Sequence, residues 1–297
     1  MVGARVVGCL EYLSTVRIAS WNCFGAAQTA RAFLLREGAP DPHRFRHPSV
    51  AAELDAADVV CLQELWVRDA EALFDRVAHG HKTKDHNRTE WWPFTIGGSG
   101  LGVASRHPIV HDKIAAFSRP HSGAERFARK GMLHARIAAF GVEIDVVTTH
   151  LQSGTAVSSR GVRARHAAEL AALVREVGSD ERAFLLCGDF NIDGRTSERG
   201  NEYATLLGNL GGFRDLGAEA DWPTYHPHPD HNLLAHRFDR MAPAQRLDYV
   251  FFRPPVRGAV EVTEFSRRLD ASLSPFGGGA ATHPSDHFAL AVTLRVG

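Results

Sequence analysis

The chain predicts an α/β fold of four layers, α/β/β/α, in which two mixed sheets pack face to face with helices outside. Three observations carry this expectation. Segments with helical spacing of apolar residues alternate with runs of adjacent strand-like stretches, a pattern that needs both crossover and hairpin connections. Several of those stretches are apolar throughout, as strands covered on both faces are. Six of them adjoin short polar islands in place of ordinary turn residues: Asn22, Glu64, His150, Asp189 with Asn191, Asp248, and Asp286 with His287.

The first strand is expected over 16–22, within RIASWNCFG (17–25), followed by a loop rich in Gly and Pro. Val50, Leu54 and Ala57 share one face of a short helix that leads into an apolar strand at 59–63. Ala70, Leu73, Phe74 and Val77 then repeat with helical spacing, and HGHKTKDHNRTE (79–90) reads as a polar connection. Strands follow at 101–105 and 109–117, with a longer pair at 131–140 and 142–149 joined by a Phe140-Gly141 hairpin turn. The amphipathic stretch 158–177 is the best-defined helix, with Val162, His166, Leu170, Leu173, Val174 and Val177 on one face, and it feeds a strand at 183–187.

From 194 to 246 the chain reads as loop-rich, with a helix near 200–209 and a His/Pro-rich segment, TYHPHPDHNLLAH (224–236). The last strands are expected at 248–252, 258–264 and 287–294, with the Gly-rich FGGGA (276–280) as a flexible loop beside the final island. No repeat or low-complexity linker interrupts the 297 residues, so one domain over 1–297 is expected.

Thirty-four basic and 34 acidic residues cancel, so no overall field draws the chain to nucleic acid or to an anionic membrane. A local basic face around Arg160, Arg163 and Arg165 or around Arg126, Arg129 and Lys130 is the alternative, but each run reads as solvated surface. Cys9, Cys23, Cys61 and Cys187 have neither CxxC spacing nor the density of a disulfide scaffold, and they read as reduced core residues. No cleavable leader is apparent, and no apolar run approaches the roughly 20 residues that span a bilayer. A cytoplasmic monomer is the expectation, with peripheral membrane contact and secretion as open alternatives. Trp91 and Trp92 read as strand or core residues, with a membrane interface as the alternative.

A carboxylate, amide or imidazole is costly to bury without a partner, so six such islands at strand ends point to a shared ion or substrate. Asn22 and Glu64 offer hard oxygen ligands, which select Mg²⁺ or Mn²⁺ and imply a phosphate as co-ligand. An imidazole titrates near neutrality, which suits His287 as general base, with Asp248 on its other nitrogen to fix the tautomer. His150, Asp189 and Asn191 supply donors for phosphoryl oxygens and a carboxyl group for the attacking water, with His150 and Asn191 also binding substrate. The histidines between His226 and His236 offer a second metal site, but irregular spacing and neighbouring prolines favour a solvated loop on the substrate side.

The series SWN (20–22), LQE (62–64), THL (149–151), GDFN (188–191), LDYV (247–250) and SDH (285–287) resembles the endonuclease/exonuclease/phosphatase superfamily of Mg²⁺-dependent phosphodiesterases with the DNase I-like fold. The resemblance implies Glu64 as the central Mg²⁺ ligand with Asn22 close by and Asp286 near the metal. It also implies His287 as the base paired with Asp248, Asp189 and Asn191 as positioning groups, and His150 as a phosphate contact. Within the superfamily the chain resembles neutral, Mg²⁺-dependent sphingomyelinases through GSGLGVASRHPI (98–109), KGMLHARI (130–137) and THLQS (149–153). That resemblance implies hydrolysis of a phospholipid phosphodiester, sphingomyelin to ceramide and phosphocholine. The alternatives are DNA or RNA as the substrate, and a non-catalytic binding module that has kept the fold.

Overall fold

The computed structural model describes residues 14–26, 39–85, 98–118, 121, 125, 129–195 and 202–297. Cys9, Arg126, Trp91 and Trp92 lie outside them. The strands are β1 (Ser14–Asn22), β2 (Val59–Gln63), β3 (His81–Lys84), β4 (Gly102–Ser105), β5 (Ile109–Ala116) and β6 (Gly131–Ala139). They continue as β7 (Val142–His150), β8 (Ala183–Asp189), β9 (Arg214–Asp215), β10 (Asp248–Arg253), β11 (Val260–Arg268) and β12 (Ala289–Val296). The helices are α1 (Pro48–Asp55), α2 (Arg68–Arg76), α3 (Val157–Val177), α4 (Glu202–Asn209) and α5 (Leu233–Phe238), and a 3₁₀ turn covers Pro42–Arg46.

Two six-stranded sheets form, in the orders β11-β12-β1-β2-β4-β3 and β5-β6-β7-β8-β10-β9. Each is mixed: β1 and β2 pair parallel in the first, β7 and β8 in the second, and the other neighbours are antiparallel. The inner faces meet through Ile18, Cys61, Val103, Leu133, Val146, Leu185 and Leu294, all buried. Each aliphatic side chain so buried contributes about 1.5–3 kcal/mol. Outside the first sheet, Val50 and Leu54 of α1 and Leu73 and Phe74 of α2 pack on Trp21 and Leu62. Outside the second, Leu170, Leu173 and Val174 of α3 pack on Val147, Phe184 and Leu186, which completes the four expected layers.

The Phe140-Gly141 hairpin is as expected, with both residues at positive φ, 50° and 83°, the backbone that a two-residue primed turn needs. Four elements differ from the sequence reading, two of them the short edge strand β9 and the 3₁₀ turn at Pro42–Arg46, both in stretches read as loop. The polar connection after α2 contains β3, an edge strand whose sequence HKTK is half exposed, so neither hydrophobic alternation nor a buried run marked it. The His/Pro-rich segment contains α5, started by Asn232, whose Oδ1 accepts the Leu234 and Ala235 N–H groups. Boundaries also move: β11 runs to Arg268, and β12 starts at Ala289, so His287 precedes the strand.

Cys23, Cys61 and Cys187 are buried free thiols. Two basic residues are not solvated surface: Arg163 holds Glu202 through two 3.0 Å bonds, and Lys130 is fully buried. Among the described residues, no helix is long and apolar enough to cross a membrane.

Candidate active site

Strand register alone assembles most of the site. In the second sheet, His150 of β7 stands beside Asp189 of β8, and Asp189 stands beside Asp248 of β10, so three polar groups lie in a row across neighbouring strands. In the first sheet, Asn22 ends β1 opposite Gln63 of the parallel β2, which places Glu64 just beyond the edge. Antiparallel pairing of Ser20 with Leu290 brings the start of β12, and with it Asp286 and His287, to that same edge. Gly188 accommodates the crowding, at φ 133° and with its Cα so close to β7 that a Cβ would stand 2.0 Å from the Thr149 carbonyl oxygen.

The two sheets meet at these groups. His287 Nδ1 lies 2.7 Å from Asp248 Oδ2, and its Nε2 faces Asp189 Oδ2 at 3.8 Å. Asn22 Nδ2 donates to Asp189 Oδ2 at 3.0 Å and to Glu64 Oε1 at 3.2 Å. His150 Nε2 lies 3.3 Å from Asp189 Oδ2 and 4.0 Å from Glu64 Oε1. The Asn191 N–H donates to Asp189 Oδ1 at 2.9 Å, and its side-chain amide donates to the Leu151 carbonyl at 3.1 Å. Asp286 joins by charge: its Oδ1 accepts from Ser285 Oγ at 3.1 Å, and its carboxylate is one of the influences on Glu64.

The electrostatics follow from burying many acids together. Burial, then the Asp286 carboxylate, pushes Glu64 up to about 8. Burial likewise raises Asp248 and Asp286. For His287 burial favours the neutral ring, but Asp248, Asp189 and Asp286 together outweigh it and hold the imidazole well above its ordinary value. His150 moves the other way, because burial and then the Lys130 ammonium keep it neutral. An ammonium only donates, so the Lys130 Nζ contact at 2.9 Å makes His150 Nε2 the acceptor and puts the ring proton on Nδ1.

Surplus negative charge in a buried pocket fits a divalent cation. Glu64 Oε2 is buried and has no hydrogen-bond partner among the described residues, an oxygen left ready for an ion. Glu64 sits at φ 64°, a backbone that non-glycine residues adopt mainly where the surroundings enforce it. Glu64 and Asp286 would hold the ion by carboxylate oxygens. Asn22 presents its amide nitrogen to the acids while Oδ1 accepts the Phe24 N–H at 3.0 Å, so ligation by Asn22 requires rotation of the carboxamide. Asp189, Asp248 and His287 form a second compact group, each offering a ligand-type atom within 4.8 Å of the others.

Several supporting residues were not read from the sequence as part of the site. Lys130 Nζ also bonds Glu125 Oε1 at 2.5 Å and the Leu151 carbonyl at 2.7 Å, which makes a buried cation part of the site wall. Arg44, buried and stacked 4.0 Å from the Phe45 ring, donates to the carbonyls of Cys23, Phe24 and Pro284, tying the loop after β1 to the one before Asp286. Thr224 Oγ1 accepts the Leu247 and Asp248 N–H groups at 3.0 Å and so seats Asp248. Beneath the site, Gln63 Nε2 reaches across the sheets to Thr148 Oγ1 at 2.9 Å. Gln63 and Lys130 stood inside the motif segments LQE and KGMLHARI without being read as part of the site; Arg44 and Thr224 depend on contacts remote in sequence.

A buried imidazole–carboxylate couple faces further acids at the joined rim of two mixed sheets, an arrangement suited to activating water in an α/β sandwich. The chain belongs to the Endonuclease/Exonuclease/phosphatase family, whose pattern matches residues 19–287, and the chemistry of that family is hydrolytic phosphodiester cleavage. It is 25% identical over 194 residues to Sphingomyelinase C 2 of Leptospira interrogans serogroup Icterohaemorrhagiae serovar Lai (strain 56601), a match that covers 61% of this chain. The matched region spans about 30% of the length of that relative. Among solved structures, sphingomyelinase C from Streptomyces griseocarneus superposes with a TM-score of 0.68 at 22% identity, over 96% of this chain and 100% of that one. TDP2 of D. rerio, complexed with a single-strand DNA product, also gives 0.68, at 19% identity over 95% and 99%. The four-layer, DNase I-like architecture is shared with both solved structures.

Proposed function

We propose that this protein is a Mg²⁺-dependent phosphodiesterase that hydrolyses a phospholipid, sphingomyelinase-like in releasing ceramide and phosphocholine from sphingomyelin. The observation that carries the reading is the 2.7 Å His287–Asp248 couple set among acids that need a cation. Mg²⁺, or Mn²⁺ in its place, would neutralise charge on the phosphoryl oxygens when held by Glu64 with Asp286 and Asn22. In its neutral form His287 takes a proton from the attacking water through Nε2, the surrounding acids hold the imidazolium that results, and Asp248 on Nδ1 fixes the ring and its tautomer. Asp189 orients the water beside Nε2 and is itself held by the Asn22 amide and the Asn191 N–H. Asn191 binds the phosphate, and neutral His150 joins it through the tautomer that carries the proton on Nε2, exchanging its Lys130 contact for a phosphoryl oxygen.

Lipid as substrate is supported by the GSGLGVASRHPI, KGMLHARI and THLQS segments and by the sphingomyelinase relative. Nucleic acid stands as the second reading because the DNA-bound TDP2 structure superposes equally well. Zero net charge weighs against it, since tracking a phosphate backbone draws on a basic surface. A panel of sphingomyelin and phosphatidylcholine in detergent, plasmid and single-stranded DNA, and bis-p-nitrophenyl phosphate, run with Mg²⁺ and with chelator, tests both. Mg²⁺-dependent phosphocholine release is the expected result. Cleavage of DNA with no choline lipid turned over would move the assignment to the second reading.

A further inference from the structure

The loop between Tyr225 and α5 gathers three imidazoles that phosphodiester hydrolysis leaves unused. The His226 and His231 rings lie face to face, with centroids 4.0 Å apart and planes 13° from parallel. His228 stands 5.5 Å from His231 and 6.2 Å from His226. Asp230 adds a carboxylate oxygen 3.7 Å from His228 Nδ1. An open cleft of about 370 Å³, lined by Asp230, His231, Asp270 and His283 among others, adjoins the turn. A solvated loop has no need to collect three imidazoles around one turn, and the sequence spacing of these histidines did not disclose that they converge.

The backbone beneath the rings is fixed before any ligand arrives. Tyr225 exchanges N–H and carbonyl bonds with Gln245, the His228 N–H donates to the His226 carbonyl, and the His231 and Asn232 N–H groups both donate to the His228 carbonyl. Asn232 anchors the far end through its amide on the Ser285 and Asp286 carbonyls. Pro227 and Pro229 restrict the intervening backbone. His228 and His231 are exposed, so their rings turn about χ1 and χ2 without disturbing the core. Ligation requires such rotation, while the Cα positions that bring the rings together are already in place.

We propose that His226, His228 and His231 form a second metal site, selective for an imidazole-seeking ion of the Zn²⁺ or Ni²⁺ class and separate from the acidic centre. Imidazole nitrogen suits these ions, whereas Mg²⁺ keeps to oxygen ligands. Three histidines with Asp230 or water as a fourth ligand match the composition of an open tetrahedral site. The site is coupled to the catalytic edge, because Tyr225 pairs with His287 in an isolated β-bridge and their rings lie 5.2 Å apart. An ion on the turn therefore stiffens the backbone that carries the base.

Protein stripped with chelator and returned to excess Mg²⁺, which fills the acidic centre, is titrated with Zn²⁺ by calorimetry and by competition with a chromophoric chelator. One Zn²⁺ per chain is expected. The paired substitution His226→Asn and His231→Asn should weaken it at least about tenfold. His81→Asn, on the exposed edge strand β3, should leave it unchanged. Circular dichroism and thermal unfolding of the paired variant verify its fold, and Co²⁺ in place of Zn²⁺ adds an absorption signature that the same variant should lose. Equal Zn²⁺ affinity in wild type and paired variant, or no Zn²⁺ binding by wild type under excess Mg²⁺, overturns the proposal. Zn²⁺ binding lost in Glu64→Gln but retained in the paired variant overturns it as well, by locating the ion at the acidic centre.

Discussion

β7 carries a buried polar cluster at each end, and the two are built from the same residue types to opposite effect. Near its start, Asp145 accepts bonds from His134 at 2.8 Å, Arg136 at 2.9 Å and Arg182 at 2.7 Å. Burial works against that carboxylate, yet the three donors outweigh it and hold Asp145 below its ordinary value. Arg136 and Arg182 also close the C-terminus of α3 by donating to the Val177 carbonyl. At the other end, about 16 Å further along the strand, His150 faces the carboxylates of Asp189 and Glu64, and Glu64 keeps a buried oxygen with no partner among the described residues. Charge balance marks the end that holds the sandwich together. Charge imbalance marks the end that has a further group to bind.

If this contrast is right, substitutions at the two ends should separate activity from stability. His287→Ala should reduce Mg²⁺-dependent hydrolysis of bis-p-nitrophenyl phosphate about 10²–10⁴-fold, the usual contribution of a general base, with the circular dichroism spectrum retained. Comparable turnover in the variant would remove His287 from the chemistry.

Asp145→Asn should cost about 1.5–3 kcal/mol in urea unfolding, because the half-buried Arg136 and Arg182 lose a charged acceptor. Its activity per folded molecule should match wild type. The Asp145 contribution also has a defined acid limit. A carboxylate whose folded pKa lies below its unfolded value stabilises the fold above the ordinary value of 3.8 and loses that effect as pH falls through the folded pKa. The stability gap between wild type and Asp145→Asn should therefore be constant near neutrality and narrow below about pH 4. A gap independent of pH down to acid unfolding would show that the ion pairs contribute nothing.

The smallest effect should have the opposite sign. Glu64→Gln in chelator-treated protein removes one of the crowded acids and should stabilise the fold by about 0.5–2 kcal/mol while abolishing Mg²⁺-dependent turnover. A destabilised Glu64→Gln protein would mean that the acidic end is as well balanced as the Asp145 end.

What the sequence disclosed follows the same division. The six islands were legible because strand ends are local: an apolar run that stops at Asp189 or His150 is visible without knowing its neighbours. The hairpin at Phe140-Gly141 and the amphipathic α3 were legible for the same reason. β3 was not, because an exposed edge strand of Lys, His and Thr carries no burial pattern. Lys130 read as surface because its neighbours in sequence are basic, whereas its burial is decided by Glu125, His150 and Leu151. Arg44 is the same case, since its acceptors are carbonyls, which any sequence possesses.

The Gln63 amide that bridges to Thr148 acts as a rivet directly under the catalytic rim. His287 leads into β12 of one sheet and Asp248 opens β10 of the other, so the couple forms only while the halves stay aligned. A slip of about an ångström between layers would part base from partner without unwinding any strand. Enzymatic turnover is then a finer gauge of interlayer alignment than any spectroscopic measure of secondary structure, and on gentle heating it should fade first.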